Sequence, residues 1–192
     1  MRHAWPFPSW LFALAALGAA ALVRADPAPL QLARCRLHTQ GLAAAFGECG
    51  KLTVPENPAA PDGRTVELFV ARVGALSATP KPDPLLLIAG GPGQSTVDFY
   101  LQLRGAFEQA RRDRDIVLVD QRGTGRSAAG FTCKTPDDLA LDTAGPDALK
   151  RVIDDCQAAL THDPKYYTTS VAVQDLDRVR AALGVERWNL YG

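Results

Sequence analysis

The sequence is poor in several things at once. Its 192 residues include one methionine, three histidines and only 7% aromatics, and its 21 basic side chains are matched by 21 acidic ones. A balanced chain without a clustered basic face carries no footprint for nucleic acid. The densest charge cluster, Arg111-Arg112-Asp113-Arg114-Asp115, mixes its signs as a solvated helix end does. There is no C-x-x-C pair, and His38 and His162 stand isolated and read as surface residues. Structural zinc sites need clustered Cys and His, so zinc is a poor reading of the cysteines; no metal and no cofactor is expected. The phosphate-loop pattern G-x-x-x-x-G-K-[ST] is also missing.

Long apolar runs are equally scarce. Leu11 to Val23 is shorter than the roughly 20 residues that cross a bilayer, and it follows a weakly basic start at Arg2 and His3. Val23-Arg24-Ala25 puts small residues where a signal peptidase reads. Residues 1–25 therefore read as a cleaved signal peptide, with no stable membrane anchor afterwards and a secreted or periplasmic destination. Four cysteines, Cys35, Cys49, Cys133 and Cys156, are an even count that favours disulfides in an exported chain. Three pairings are possible; the local one, Cys35 with Cys49 and Cys133 with Cys156, is expected.

What is present is an alternation of strands and helices. After a Cys-bounded extension over residues 26–50, Leu52–Pro55 and Thr65–Val73 read as strands opening a sheet in antiparallel fashion. Leu85-Leu86-Leu87-Ile88-Ala89 is apolar at every position, as a strand covered on both faces requires. A helix is predicted over 97–110, with Tyr100, Leu103, Phe107 and Ala110 on one stripe and Ser95 or Thr96 as cap. Asp115–Val119 is the next buried strand, which completes a β-α-β unit and implies parallel pairing. Residues 128–165 interrupt the pattern with an inserted helix after Pro146, packed beside the sheet. The pattern resumes with a helix over 170–183, ended by Gly184, and a short buried strand within Arg187–Gly192. The fold class is thus α/β, a mostly parallel sheet with helices on both faces, in one domain over 51–192.

Two loops carry candidate chemistry. Gly90-Gly91-Pro92-Gly93 follows a buried strand at its carboxyl end, where open α/β sheets bind ligands. Adjacent glycines admit close approach and can aim N–H groups at an oxyanion, although a tight turn would need the same glycines. Asp120-Gln121-Arg122-Gly123-Thr124-Gly125-Arg126-Ser127 follows the next strand. It lacks the third glycine of G-x-G-x-x-G, so it reads as a supporting loop held by Asp120 and Arg122 rather than a dinucleotide site.

Taken together, Leu-Leu-Leu-Ile-Ala-Gly-Gly-Pro-Gly-Gln-Ser, Asp-Ile-Val-Leu-Val-Asp-Gln-Arg-Gly-Thr-Gly-Arg-Ser, Tyr-Thr-Thr at 167–169, Asp175-Leu-Asp-x-Val-Arg-x-Ala-Leu-Gly184 and Trp-Asn-Leu-Tyr-Gly192 resemble the α/β-hydrolase fold. More narrowly they resemble the exported branch of the proline iminopeptidase and tripeptidyl aminopeptidase group of serine peptidases. The resemblance implies that Gly91, with Gly90 beside it, gives one backbone donor to an oxyanion hole. It implies that Asp120, Gln121, Arg122, Gly123, Gly125 and Ser127 form a supporting loop. It also makes Gly192 the first glycine of a G-x-S-x-G elbow whose serine would lie two positions further on. The group's oxyanion loop often begins His-Gly-Gly-Pro-Gly, and this chain has Ala89 in the histidine's place. The implied function is the N-terminal part of an exported aminopeptidase acting on peptides, inactive alone, with no catalytic residue within the chain and with an exposed strand edge. An esterase on the same fold, or a non-catalytic binding protein on a hydrolase scaffold, are the alternatives.

Overall fold

A computed structural model describes residues 29–128 and 145–192, together with Met1. The signal-peptide segment and Cys133 lie outside the described residues, as does most of the first half of the 128–165 insertion. Among the described residues six strands form one sheet: β1 (Ala33–Leu37), β2 (Ala45–Pro55), β3 (Thr65–Val73), β4 (Leu85–Leu87), β5 (Ile116–Val119) and β6 (Asn189–Tyr191). Their order is β1-β2-β3-β5-β4-β6. The pairings β1–β2, β2–β3 and β3–β5 are antiparallel, while β4 is parallel to both β5 and β6. The expected antiparallel opening and the parallel β-α-β block are both present.

Period-two alternation sorts the sheet's side chains onto two faces. Ala71, Val73, Leu87, Ile116 and Leu118 pack on one side with Val97, Tyr100, Leu101 and Phe107 of helix α1 (Thr96–Arg111). Leu68, Val70, Leu86, Val117 and Val119 pack on the other with Val179 of helix α3 (Thr169–Ala182). Each such large side chain contributes about 1.5–3 kcal/mol on burial. All four residues of β5 are buried, as its unbroken apolar run requires. Helices therefore cover both faces, as expected.

Helix ends follow local chemistry. Ser95 caps α1, its hydroxyl accepting from the Asp98 N–H. Gly184 ends α3 in the left-handed region at φ 68°. The Cys35–Cys49 disulfide is present and ties β1 to β2.

Several expectations need correction. Leu103 is 46% exposed, and the neighbouring Leu101 is buried instead. The reason is that α1 lies on the sheet through Val97, Tyr100, Leu101 and Phe107, a stripe displaced from the one predicted. The short strand expected at Leu52–Pro55 is the end of an 11-residue strand that begins at Ala45. Residues in the expected extension thus share the sheet's hydrogen bonds. Helix α2 (Pro146–Ala159) forms as predicted, with Pro146 in its first turn, yet none of its residues is buried, so it does not pack closely beside the sheet. The last strand, expected to be buried, is exposed: Leu190 by 63% and Tyr191 by 49%. Among the described residues β6 lies at the sheet's edge, paired with β4, and meets α1 through Phe107 and Tyr191 rings 5.1 Å apart.

Candidate functional site: a glycine loop on a braced rim

The carboxyl ends of β4, β5 and β6 open on one rim, and the motif loops leave from there. After β4 the chain runs through Gly90 to Gly93. Gly91 has φ 117° and Gly93 φ 92°, conformations that a side chain strongly disfavours. Within this turn the Gln94 N–H donates to the Gly90 carbonyl at 3.2 Å. At the end of β6, a Cβ on Gly192 would lie 3.4 Å from both the Cβ and the carbonyl oxygen of Ile88. The Ile88 N–H in turn donates to the Tyr191 carbonyl at 2.8 Å. Gly192 and the glycine loop are thus neighbours on the same rim.

The loop after β5 is a brace. Asp120 is fully buried. Its Oδ1 accepts from the Ser95 hydroxyl at 3.0 Å and the Val97 N–H at 3.2 Å, at the start of α1. Its Oδ2 accepts from the Arg126 N–H at 2.8 Å. One carboxylate therefore joins α1 to the turn that follows β5. Gly125 makes room for it: a Cβ there would come within 2.7 Å of both the Asp120 Cγ and the Ser95 Cβ. Ser127 donates to the Asp120 carbonyl at 2.7 Å and accepts from the Phe69 N–H of β3 at 2.8 Å. Gly123 closes the turn at φ 76°, with its N–H on the Ser127 carbonyl at 3.1 Å.

Arg122 is the second brace, and all its donors are engaged. Nε and Nη2 grip Asp175 of α3 at 2.7 and 2.9 Å. Nη1 reaches the carbonyls of Glu56 and Tyr166 at 2.8 and 3.0 Å, and Nη2 also reaches Pro55 at 3.2 Å. The guanidinium lies over the Tyr167 ring, 5.6 Å from its centroid. Burial, with the nearby Glu56 carboxylate adding to it, pushes the Tyr167 phenol up to about 12.

Two supporting residues were not legible in the sequence as such. Glu56 is buried and holds Arg64 at 2.8 Å, the Asp163 N–H at 2.8 Å and His162 Nδ1 at 3.1 Å. His162 is therefore not the isolated surface residue expected; its side chain is 16% exposed and faces Glu56. The only sequence signal was an acidic residue directly after a strand-ending proline. Asp175 was quoted as part of a motif, without its partner.

Between the glycine loop and the start of α3 lies a cavity of about 340 Å³. The glycine loop, Gln121, Arg122, Thr124 and the start of α3 line it. Its polar groups are neutral apart from Arg122, whose charge Asp175 already balances. Among the described residues no group of three or more His, Cys, Asp or Glu side chains could hold a metal ion. No helix among them is long and apolar enough to cross a membrane. The remaining predicted residues do not all join the site: Cys35 and Cys49 form their disulfide on the far antiparallel strands, and Cys156 lies on α2.

No family model matches the chain. It is 29% identical over 162 residues to a tripeptidyl aminopeptidase of Streptomyces lividans, covering 76% of this chain and 30% of that protein. It is 27% identical over 180 residues to the serine protease Hip1 of Mycobacterium tuberculosis, covering 85% and 34%. It is 31% identical over 121 residues to carboxylesterase B of M. tuberculosis, covering 62% and 22%. The chain thus spans about a third or less of the length of these curated relatives. The chain, a mixed sheet covered by helices on both faces, is thus similar over its described strands and helices to hydrolases that include a tripeptidyl aminopeptidase, a serine protease and a carboxylesterase.

Proposed function

We propose that this chain is the N-terminal part of an exported serine hydrolase that releases residues or short peptides from peptide N-termini. Gly91 supplies a backbone N–H to the oxyanion, with Gly90 beside it, and Gly192 begins the elbow that carries the nucleophile. The loop from Asp120 to Ser127 holds the rim rigid. In the reaction the serine attacks the scissile carbonyl, a histidine takes its proton, and the backbone N–H groups stabilise the negative charge that develops on the carbonyl oxygen. Losing one such donor costs about 3–4 kcal/mol of transition-state stabilisation. In this reading residues 1–25 direct export, 26–50 form the Cys-bounded extension, and 51–192 belong to the hydrolase domain, with 128–165 inserted.

The observation that carries the reading is that Gly192 lies beside Ile88, two residues before the glycine loop, where a Cβ on Gly192 would meet Ile88 at 3.4 Å. The test is to assay the full-length protein on alanine and proline anilides against short-chain esters, with a serine-directed fluorophosphonate as label. Labelling with anilide turnover supports the peptidase. The esterase reading, favoured by the carboxylesterase relative, predicts turnover of esters alone. Absence of both labelling and turnover favours a binding protein. The 192-residue chain by itself is expected to take no label.

A further inference from the structure

We infer that Gln121 is a positioning residue that sets the direction of the glycine loop's N–H groups. Its Nε2 lies 3.3 Å from the Ala89 carbonyl. A carbonyl can only accept, so the amide nitrogen must face it. The Gln121 backbone is itself immobilised: its carbonyl accepts from both the N–H and the hydroxyl of Thr124, each at 2.9 Å. On either side stand Asp120 and Arg122, both fully bonded into the braces described above. The side chain is thus an arm reaching from the braced β5 loop to the glycine loop after β4.

The consequence follows from peptide geometry. In a planar trans peptide, the N–H of a residue points opposite to the carbonyl of the residue before it. Gln121 fixes the Ala89 carbonyl and so the Gly90 N–H. The Gln94 N–H fixes the Gly90 carbonyl and so the Gly91 N–H. Two consecutive peptide planes are therefore held, one by the loop's own turn and one by a side chain from the neighbouring strand's loop. Without that arm, the first plane turns about Ala89 ψ and Gly90 φ, and no Cβ restricts the second.

The link to catalysis rests on the oxyanion reading above; the link to loop order does not. The experiment uses Gln121→Ala and Gln121→Glu in the full chain, read by hydrogen exchange of the segment 88–95, with α1 and β5 as internal references. Loss of one neutral hydrogen bond predicts about fivefold faster exchange in Q121A, with both references unchanged. An ionised glutamate cannot donate to a carbonyl, and a protonated one can. In Q121E, protection relative to the intrinsic rate therefore returns as pH falls through the carboxyl range near about 4, and in Q121A it does not. Unchanged exchange in Q121A, or a Q121E that follows Q121A at every pH, overturns the inference. In the full-length enzyme, displaced donors predict a kcat lowered about tenfold with KM nearly unchanged. A wild type without activity overturns the functional reading alone, since exchange still decides the loop. Faster exchange with unchanged kcat overturns the catalytic link.

Discussion

Arg122 and Asp175 stand 53 residues apart in sequence and meet as a buried two-pronged ion pair, at 2.7 and 2.9 Å. Removing Asp175 leaves the buried Arg122 guanidinium without a carboxylate, whereas Asp175 also has Arg178 at 3.3 Å. Asp175→Ala is therefore expected to destabilise the fold by about 3–5 kcal/mol, measured by urea unfolding. Removing both charges in Arg122→Met/Asp175→Leu should cost less than the two single changes summed. A loss below about 1 kcal/mol in Asp175→Ala would mean that the pair is not what joins α3 to the rim.

Glycine is required at Gly125 for space and at Gly93 for backbone angle alone. Gly93 has φ 92° with nothing within 4 Å of a Cβ, whereas at Gly125 a Cβ would collide with Asp120 and Ser95. Gly93→Ala should cost about 1–2 kcal/mol, the penalty of the left-handed region. Gly125→Ala should cost about 3 kcal/mol or more, as crowding adds to that. Thermal melts of the two variants check the order, and equal losses would refute the collision.

The Cys35–Cys49 bridge closes a loop across 14 residues of sequence. On the loop-entropy account, Cys35→Ser/Cys49→Ser should lose about 3 kcal/mol. The same loss should appear in wild type unfolded under reducing conditions, in proportion to this bridge's share. Because β1 holds β2 from one side only, exchange in 33–37 should rise most.

Tyr167 gives a pH signature. Its phenol is raised to about 12, first by burial and then by the Glu56 carboxylate. The unfolded chain releases that proton near about 10. Between those values the folded state binds more protons than the unfolded one, so stability falls as pH rises through this window. It is fully present below about 10. Burial also raises the Tyr100 phenol, so an absorbance titration near the phenolate band should show late-ionising tyrosines, with one fewer in Tyr167→Phe. If Tyr167→Phe removes an early-titrating group instead, the phenol is not buried as described.

The residues of β3, β4, β5 and α3 could be read from the chain because their signals are local. β3 runs over Thr65–Val73 as predicted, and an unbroken apolar run such as Ile116–Val119 can satisfy itself only between two covered faces. Ser95 capping α1 and Gly184 ending α3 rest equally on neighbouring dihedrals. The Asp120–Ser127 loop stood out in the chain because its charges and glycines follow directly on the apolar run of β5.

Which partner each charge takes was not written locally. Asp175, Glu56 and His162 acquire their roles only when segments from β2, the β5 loop and α3 converge. The exposure of Leu103, Leu190 and the α2 stripe was equally hidden. Periodicity says that a stripe exists, but burial depends on whether another surface arrives to cover it. Sequence alone determined which segments are strand, helix and glycine turn, through dihedral preference and hydrophobic spacing. The tertiary structure alone decided that the glycine loop, Gln121 and Gly192 share one rim, because strand order is set by long-range packing that no local spacing encodes.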